Sequence, residues 1–266
     1  MPAVVFSRLM GSSPETRPSP APLLGAVCLA LALVAPAPAP AQDLRVGLRA
    51  GPSFGFLNDS PVPFVSEPGV TAASTNVRLD GHVGLHAVVP LGAPVALQPE
   101  LLFVQKGGHL SRVGEDLHAA ERYRLSYLQG HLLVRRSVSI PGPLSLHAVV
   151  GPSISVATGG RVQRNVHSPT VTVAQEISLL AEGLMRRWDA GLLLGAGLGY
   201  PVGGGSRVAL ELRYNPGFRT IFTGSQRPAS ALKVNLPDPP PLSDTPPPLR
   251  HDVILASLTL TVPLRR

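Results

Sequence analysis

Cysteine is nearly absent from this 266-residue chain, which contains only Cys28. A single cysteine excludes an internal disulfide framework and a metal site built from cysteine ligands. Lysine is almost as rare: Lys106 and Lys233 are the only lysines among 23 basic residues, and no run of basic residues occurs. The net charge of +7 is therefore weak support for nucleic-acid binding, and no nucleic-acid partner is expected.

Long apolar runs, charged residues and aromatic residues are also scarce. No segment of 18 consecutive apolar residues is present, so no transmembrane helix is predicted. Charged residues make up 15% and aromatic residues 5% of the chain, whereas 44% is hydrophobic, which excludes a disordered, solvated chain. The 27 glycines and 30 prolines argue against a helix bundle and indicate many strands separated by turns.

The first 41 residues have the layout of a secretory signal peptide. Arg8 and Arg17 precede an apolar run at 23–34, which is followed by alternating alanine and proline. This run is shorter than the roughly 20 residues that a spanning helix needs. An A-x-A motif at 39–41 predicts cleavage before Gln42. The predicted domains are thus a signal peptide at 1–41 and a β-barrel domain at 42–266.

Cys28 does not indicate a lipid anchor. A small residue normally precedes a lipidated cysteine, but here Val27 precedes it in the middle of the apolar run. Cys28 is therefore expected to be removed with the signal peptide. Translation from either Met1 or Met10 is compatible with this layout.

Alternation of apolar and polar residues with period two dominates the chain after Gln42 and predicts β-strands. The clearest example is 188–200, where Trp188, Leu194 and Tyr200 share an apolar face and the other face is mostly glycine. The eight predicted strands cover 43–56, 77–89, 95–106, 123–139, 144–156, 188–200, 207–218 and 252–264.

Short and long connections alternate between these strands. The short ones are 90–94, 140–143 and 201–206, and the long ones are 57–76, 107–122, 157–187 and 219–251. The third long connection contains a helix-like run at 175–188, and the fourth contains a proline-rich run at 237–248 that favours extended conformation. Such alternation is typical of bacterial outer-membrane barrels, in which both chain ends face the periplasm. An even strand number also leaves no open edge.

The predicted fold class is therefore all-β, an eight-stranded antiparallel up-and-down transmembrane β-barrel in the bacterial outer membrane. A soluble ligand-binding barrel would instead turn its apolar face inward. Three features favour the apolar-outward arrangement: a polar face rich in Arg, His and Gly, glycines that leave room in a narrow lumen, and strands longer than the globular norm of roughly 5–6 residues.

Several segments resemble the PorT-like, porin-family outer-membrane β-barrel domain of Bacteroidota-type bacteria. They are VGLRAGPSFGF at 46–56, LQPELLFVQKGG at 97–108, YLQGHLLVRR at 127–136, GPSIS at 151–155, DAGLLLGAGLGY at 189–200 and LELRYNPGF at 210–218. The chain departs from the family pattern at Gln129 and His131, where Glu and Pro are common, and it ends on Arg266 rather than an aromatic residue. The resemblance implies architecture and location but no shared biochemical activity.

Charged residues on the polar faces are predicted to pair across the lumen, because buried charges must be paired and hydrogen-bonded. Glu100 and Glu211 come at similar heights on opposite walls, with Arg49 and Arg213 at nearby depth. The predicted lumen network consists of Arg45, Arg49, Arg78, Asp80, Glu100, Arg135, Asp189, Glu211 and Arg213.

No catalytic, cofactor or metal site is predicted. Asp80, His82 and His86 share one face of the second strand, and strand ligands at i and i+2 can converge on a metal. No hydrolase signature accompanies them, so a structural polar lumen is the favoured interpretation. The glycine-rich run at 195–199 does not fit the G-x-G-x-x-G pattern of nucleotide loops.

The expected function is that of a non-enzymatic outer-membrane barrel with a plugged polar lumen and long extracellular loops. Its role would be structural, adhesive or accessory to envelope transport. Two alternatives are a small-solute porin and a soluble periplasmic ligand-binding barrel. The expected partners are outer-membrane lipid and an extracellular partner held by the long loops, and the chain is expected to be a monomer without cofactors.

Overall fold

The computed structural model describes residues 44–58, 72–113, 118–167, 172–221 and 250–264. The predicted signal peptide and the proline-rich run at 237–248 lie outside these residues, as do parts of the four long connections. Within the described ranges, no helix has the length and hydropathy needed to cross a bilayer.

Nine strands occupy the described residues. They are β1 (Arg45–Asn58), β2 (Ala72–Gly92), β3 (Val95–Val113), β4 (His118–Ser139), β5 (Ser145–His167), β6 (Thr172–Ser178), β7 (Trp188–Gly203), β8 (Ser206–Pro216) and β9 (Arg250–Pro263).

Eight of these strands, all except β6, form a ring of antiparallel neighbours. The first and last strands pair with each other from Arg45↔Pro263 to Asn58↔Arg250, and β4 pairs with β5 along nearly its whole length. Each strand of the ring therefore has a hydrogen-bonded neighbour on both sides. A bilayer requires this, because its hydrocarbon core offers no water to an unpaired backbone group. The predicted eight-stranded up-and-down barrel is confirmed.

The outward face of the ring is apolar. Leu79 is 65% exposed and Leu210 67% exposed, while His82 and His86 on β2 and Ala209 and Glu211 on β8 are buried at alternate positions. This orientation is opposite to that of a soluble ligand-binding barrel and is the one that lipid contact requires. Other exposed apolar residues on this face are Leu48, Val83, Leu85, Leu101, Phe103, Leu146, Val150, Ile154, Leu194, Leu198, Leu212, Leu258 and Leu260.

Exposed aromatic residues mark two levels along β7. Trp188 begins the strand and Tyr200 lies twelve positions further on (200 − 188 = 12), and both rings are exposed. Twelve residues extend about 40 Å along a strand, or about 30 Å along the barrel axis at the usual tilt. This separation suits the apolar band of an outer-membrane barrel, which is flanked by aromatic girdles.

Trp188 also has a cationic neighbour: Cζ of the Arg219 guanidinium lies 3.7 Å from the centre of the Trp188 ring.

The short-turn end of the barrel carries the three tight connections. The turn between β7 and β8 is the clearest case, because Gly203, Gly204 and Gly205 all have positive φ, at 95°, 59° and 79°. Residues with a Cβ rarely adopt this left-handed conformation, so three consecutive glycines let the strands reverse within a few residues.

At the opposite, long-loop end, the strands continue where connections were predicted. The predicted second long connection, 107–122, is strand for most of its length, since β3 runs to Val113 and β4 begins at His118. The β3 and β4 extensions pair with each other, with β2 and with β5, and β5 in turn pairs with β6. We call the resulting structure, formed by 72–77, 107–113, 118–124, 161–167 and 172–178, the extended wall.

The helix-like run predicted at 175–188 is wrong. Residues up to Ser178 belong to β6, which pairs with β5 from Arg161↔Ser178 to His167↔Thr172. The chain then turns back over 179–187, which we call the cap segment. Backbone hydrogen bonds hold both ends of this segment: Leu179 N donates to Gly160 O at 2.9 Å, and Ala157 N donates to Arg187 O at 2.8 Å.

Candidate functional site

The space inside the ring depends on glycines in β7. A Cβ on Gly195 would lie 2.6 Å from Cγ of Arg213, and one on Gly197 would lie 2.6 Å from Cγ of Glu211 and 2.7 Å from the His147 ring. The prediction that these glycines leave room for long side chains of other strands is confirmed. They allow charged side chains to lie against the bare backbone of β7.

Four charged residues meet in this space, and we call them the charged quartet: Arg49 of β1, Glu100 of β3, Glu211 of β8 and Arg213 of β8. Arg213 binds Glu100 with two hydrogen bonds, Nη1 to Oε2 at 2.6 Å and Nη2 to Oε1 at 3.0 Å. Its Nε also donates to Glu211 Oε2 at 2.9 Å.

Arg49 joins the same two carboxylates from another side. Its Nη2 lies 2.9 Å from Glu211 Oε2 and 3.2 Å from Glu100 Oε1. The side chains of the charged quartet are 0–2% exposed. Since β3 and β8 lie opposite each other in the ring, two guanidinium groups separate carboxylates that would otherwise repel.

Gln98, His131 and His147 lie around the charged quartet and contact its carboxylates. Gln98 Nε2 donates to Glu100 Oε1 at 2.6 Å, and His131 Nδ1 lies 3.3 Å from Glu100 Oε2. His147 Nε2 lies 2.9 Å from Glu211 Oε1. Arg135 reaches this shell only through Gln98, whose Oε1 accepts from its Nη1 at 3.0 Å.

The remaining predicted network residues lie elsewhere. Arg78 and Asp80 form their own bidentate pair on β2, at 2.6 and 2.8 Å. Arg45 lies near the short-turn end, where it lines a cavity together with Arg135. Asp189 is at the long-loop end of β7. The nine residues are thus divided among separate places instead of forming one continuous network.

Asp189 belongs to a second buried polar cluster, which includes a residue that sequence reasoning missed. His251 Nε2 lies 3.4 Å from Asp189 Oδ2 and 3.2 Å from Lys106 Nζ. The His251 ring stacks on Tyr127 at 5.1 Å between centroids, and Lys106 Nζ lies 5.0 Å from the Tyr127 ring centre. His251 was overlooked because it was assigned to the end of the fourth long connection, one residue before the predicted last strand.

The candidate ligands Asp80, His82 and His86 do not converge. His82 Nε2 lies 2.8 Å from Ser257 Oγ, and His86 Nε2 lies 3.0 Å from Thr261 Oγ1, while Asp80 binds Arg78. In the part of the chain that the structure describes, no group of three His, Cys, Asp or Glu residues is placed to hold a metal ion.

Apolar clusters lie beside and above the charged quartet inside the ring, and the strand-by-strand prediction did not anticipate them. One joins β3 to β9, a second joins β4, β5 and β7, and a third contains the buried side chains of the cap segment. The signal for the first two was a short run that is apolar on both faces, at 101–104, 132–134, 192–194 and 253–255. The clusters are Leu102, Val104, Val253 and Leu255; Leu133, Val149 and Leu193; and, at the long-loop end, Leu57, Leu110, Tyr123, Leu125, Tyr127, Ala157, Val162, Ile177, Leu179, Leu184, Met185 and Ile221.

A closed antiparallel ring with an apolar outer face and a buried ionic interior defines an outer-membrane β-barrel protein. Residues 40–223, more than half of the chain, match the family described as outer membrane protein beta-barrel domain. The chain belongs to this family. No curated protein matched the chain by sequence.

Solved structures of outer-membrane barrels are similar to this chain at low sequence identity. OprG from Pseudomonas aeruginosa is 12% identical with a TM-score of 0.45, and the match covers 83% of this chain and 96% of that one. Neisserial surface protein A is 9% identical with a TM-score of 0.39, covering 83% and 97%. The attachment invasion locus protein Ail of Yersinia pestis is 9% identical with a TM-score of 0.32, covering 82% and 99%.

Proposed function

We propose that this chain is a non-enzymatic outer-membrane protein whose lumen does not conduct solutes. The observation that carries the proposal is the charged quartet, in which two arginines and two glutamates from β1, β3 and β8 contact one another and are 0–2% exposed. An eight-stranded barrel is just wide enough for its own side chains to fill. The apolar clusters provide further packing toward the long-loop end.

Passage of an ion would require the charged quartet to separate. Two positive and two negative charges are balanced inside the ring, and each carboxylate also contacts a histidine. Removing a partner from buried charges costs several kcal/mol. The quartet is therefore suited to hold the walls together and unsuited to act as a gate that opens under thermal motion.

The long-loop end would face outside the cell and serve a structural or adhesive role, or support envelope transport. This part of the proposal is supported by the extended wall, which adds paired strand beyond the length that a membrane crossing needs, roughly 9–11 residues. β4 has 22 residues and β5 has 23. A partner would contact this wall and the long loops. Assignment to the PorT-like group and a monomeric state are part of the same proposal.

Export would remove residues 1–41, so we expect the mature protein to begin at Gln42. The mass of the intact, membrane-extracted protein measures this directly. A mass that retains the apolar run at 23–34, or a lipid on Cys28, would contradict the expected processing.

Conductance in planar lipid bilayers tests the closed lumen. The purified full-length barrel should produce no stable single-channel steps, whereas a porin of known conductance inserted into the same bilayer should produce them. Proof of insertion comes from protease protection of the same reconstituted sample. Stable, reproducible steps from correctly folded protein would overturn the proposal and favour the small-solute porin. Release with the periplasmic fraction would favour the soluble barrel.

A further inference from the structure

A cavity of about 230 Å³ lies inside the ring at its short-turn end. It is next to the charged quartet on the side away from the cap segment. Three arginines from three different strands line it, Arg45 of β1, Arg135 of β4 and Arg207 of β8, together with Ser137, Thr259 and Thr261.

No carboxylate lines this cavity among the described residues. Glu100 and Glu211 lie nearby, but Arg49 and Arg213 already bind both of them. Arg135 donates to the neutral acceptors Gln98 Oε1 at 3.0 Å and Ser137 Oγ at 3.3 Å. The cavity therefore has three guanidinium groups without a carboxylate to balance them.

Among the described residues, Arg207 and Arg45 also lack an acidic partner. Arg207 has one neutral contact, Ser145 Oγ at 3.4 Å, and no described carboxylate lies within ion-pair distance of Arg45. All three arginines are partly exposed. Cations concentrated in a narrow mouth with low-dielectric walls attract anions strongly.

We propose that this cavity binds a small phosphoryl oxyanion that enters from the short-turn end. Arginine offers forked donors that match the oxygens of phosphate. Three guanidinium groups approaching from different strands suit a tetrahedral dianion better than a two-oxygen carboxylate. The volume is below the roughly 300–1,000 Å³ of sites for drug-sized ligands, so the ligand is a small anion or the phosphoryl end of a larger solute.

The test uses the full chain folded in zwitterionic detergent and titrated with inorganic phosphate at constant ionic strength set by chloride. We expect saturable binding by calorimetry, with a rise in unfolding temperature as phosphate is added. Arg45→Gln, Arg135→Gln and Arg207→Gln should each weaken phosphate binding at least about tenfold, because each removes a charge-assisted hydrogen bond.

Arg136→Gln is the matched control. Arg136 follows Arg135 on β4 but is exposed on the opposite face, so its loss removes the same charge and should leave the affinity unchanged. Equal weakening by all four variants would show general charge screening and would overturn the site, as would the absence of saturable binding to the unmodified chain.

A second measurement needs no variant and so does not depend on folding of the mutants. Phenylglyoxal modifies accessible arginines, and phosphate should protect Arg45, Arg135 and Arg207 but not Arg136, as mapped by mass spectrometry. Lack of selective protection would contradict the proposal.

Micelles containing phosphatidylglycerol identify the source of the anion. If this lipid competes with phosphate, the ligand is a lipid headgroup. If it does not compete, the ligand is a soluble phosphate.

Discussion

Glu211 contacts three polar side chains, and its own side chain is only 2% exposed. Arg49 Nη2, Arg213 Nε and His147 Nε2 each lie 2.9 Å from one of its oxygens. Glu211→Ala would leave two buried guanidinium groups to share one remaining carboxylate. We expect a loss of about 3–5 kcal/mol of folding free energy, the range seen when one partner of a buried ion pair is removed.

The readout for Glu211→Ala is the temperature at which the detergent-folded barrel loses its fast-migrating, unboiled gel band. Glu176→Ala is the control, because Glu176 is exposed on β6 and its contacts with Arg161 and Gln163 are exposed as well. If Glu211→Ala and Glu100→Ala both melt at the temperature of the unmodified chain, the charged quartet does not hold the ring together.

Gly197 provides a test of packing that changes no charge. Gly197→Ala places a methyl group 2.6 Å from Glu211 Cγ and 2.7 Å from the His147 ring, so these side chains must move. We expect a destabilisation of about 1–3 kcal/mol, as for overpacked cores. Gly130→Ala adds the same methyl group to β4 at a position with no atom within 4 Å. Urea titrations of both folded variants should separate them, and equal stability would contradict the tight packing against β7.

At the residue scale, the alternation predicted which side chains face inward. Glu100, Glu211, Arg49 and Arg213 were placed at similar depth from the sequence, and in the structure they are in contact. The alternation could not predict that Arg45 would lie apart from these residues. Pairing depends on the stagger between neighbouring strands, which period-two patterns do not contain.

At the scale of elements, the ring strands were predictable and their extensions were not. The reason lies in an inversion of polarity along β4. In the part of β4 that crosses the membrane, Leu128 and Val134 face outward and Gln129 faces inward. In the part toward the long-loop end, Arg122 and Arg124 face outward and Tyr123 is buried. A strand that changes from apolar-outward to polar-outward loses the membrane pattern, so the part of β4 before Tyr123 was assigned to a connection.

The cap segment gives an element-scale prediction. Leu179 is 0% exposed and belongs to the cluster at the long-loop end, so Leu179→Asp would bury a carboxylate among apolar side chains at a high free-energy cost. The segment should detach locally while the ring stays intact, because ring pairing does not depend on it. Trypsin cleavage after Arg186 and Arg187 should accelerate at least about tenfold.

Glu182→Ala is the matched control for the cap segment, since Glu182 is exposed in the same turn. Its cleavage rate should equal that of the unmodified chain. Slow cleavage of Leu179→Asp, with an unchanged fast-migrating gel band, would mean that the cap segment is held by its backbone hydrogen bonds alone.

At the scale of the whole molecule, the two ends of the barrel differ in their chemistry. The short-turn end has tight glycine and proline turns, and the long-loop end has the extended wall and the connection 219–251, much of it outside the described residues. We expect the long-loop end to face the medium. A broad-specificity protease added to intact cells should therefore cut within 219–251 and spare 201–206.

The control for this topology is the same digestion after the outer membrane is opened, when the protease can reach both ends. Cleavage confined to the short turns in intact cells would invert the orientation. Fragment masses from the gel bands assign the cut sites.

The pairing of β1 with β9 makes closure of the ring depend on the last described strand. The ladder between them involves the first and the last described strands, from Arg45↔Pro263 to Asn58↔Arg250. A nascent or truncated chain that lacks 250–264 therefore has two open hydrogen-bonding edges, on β1 and β8, whatever the state of its other strands. Such a chain cannot close the ring, and its open edges are free to pair with other strands.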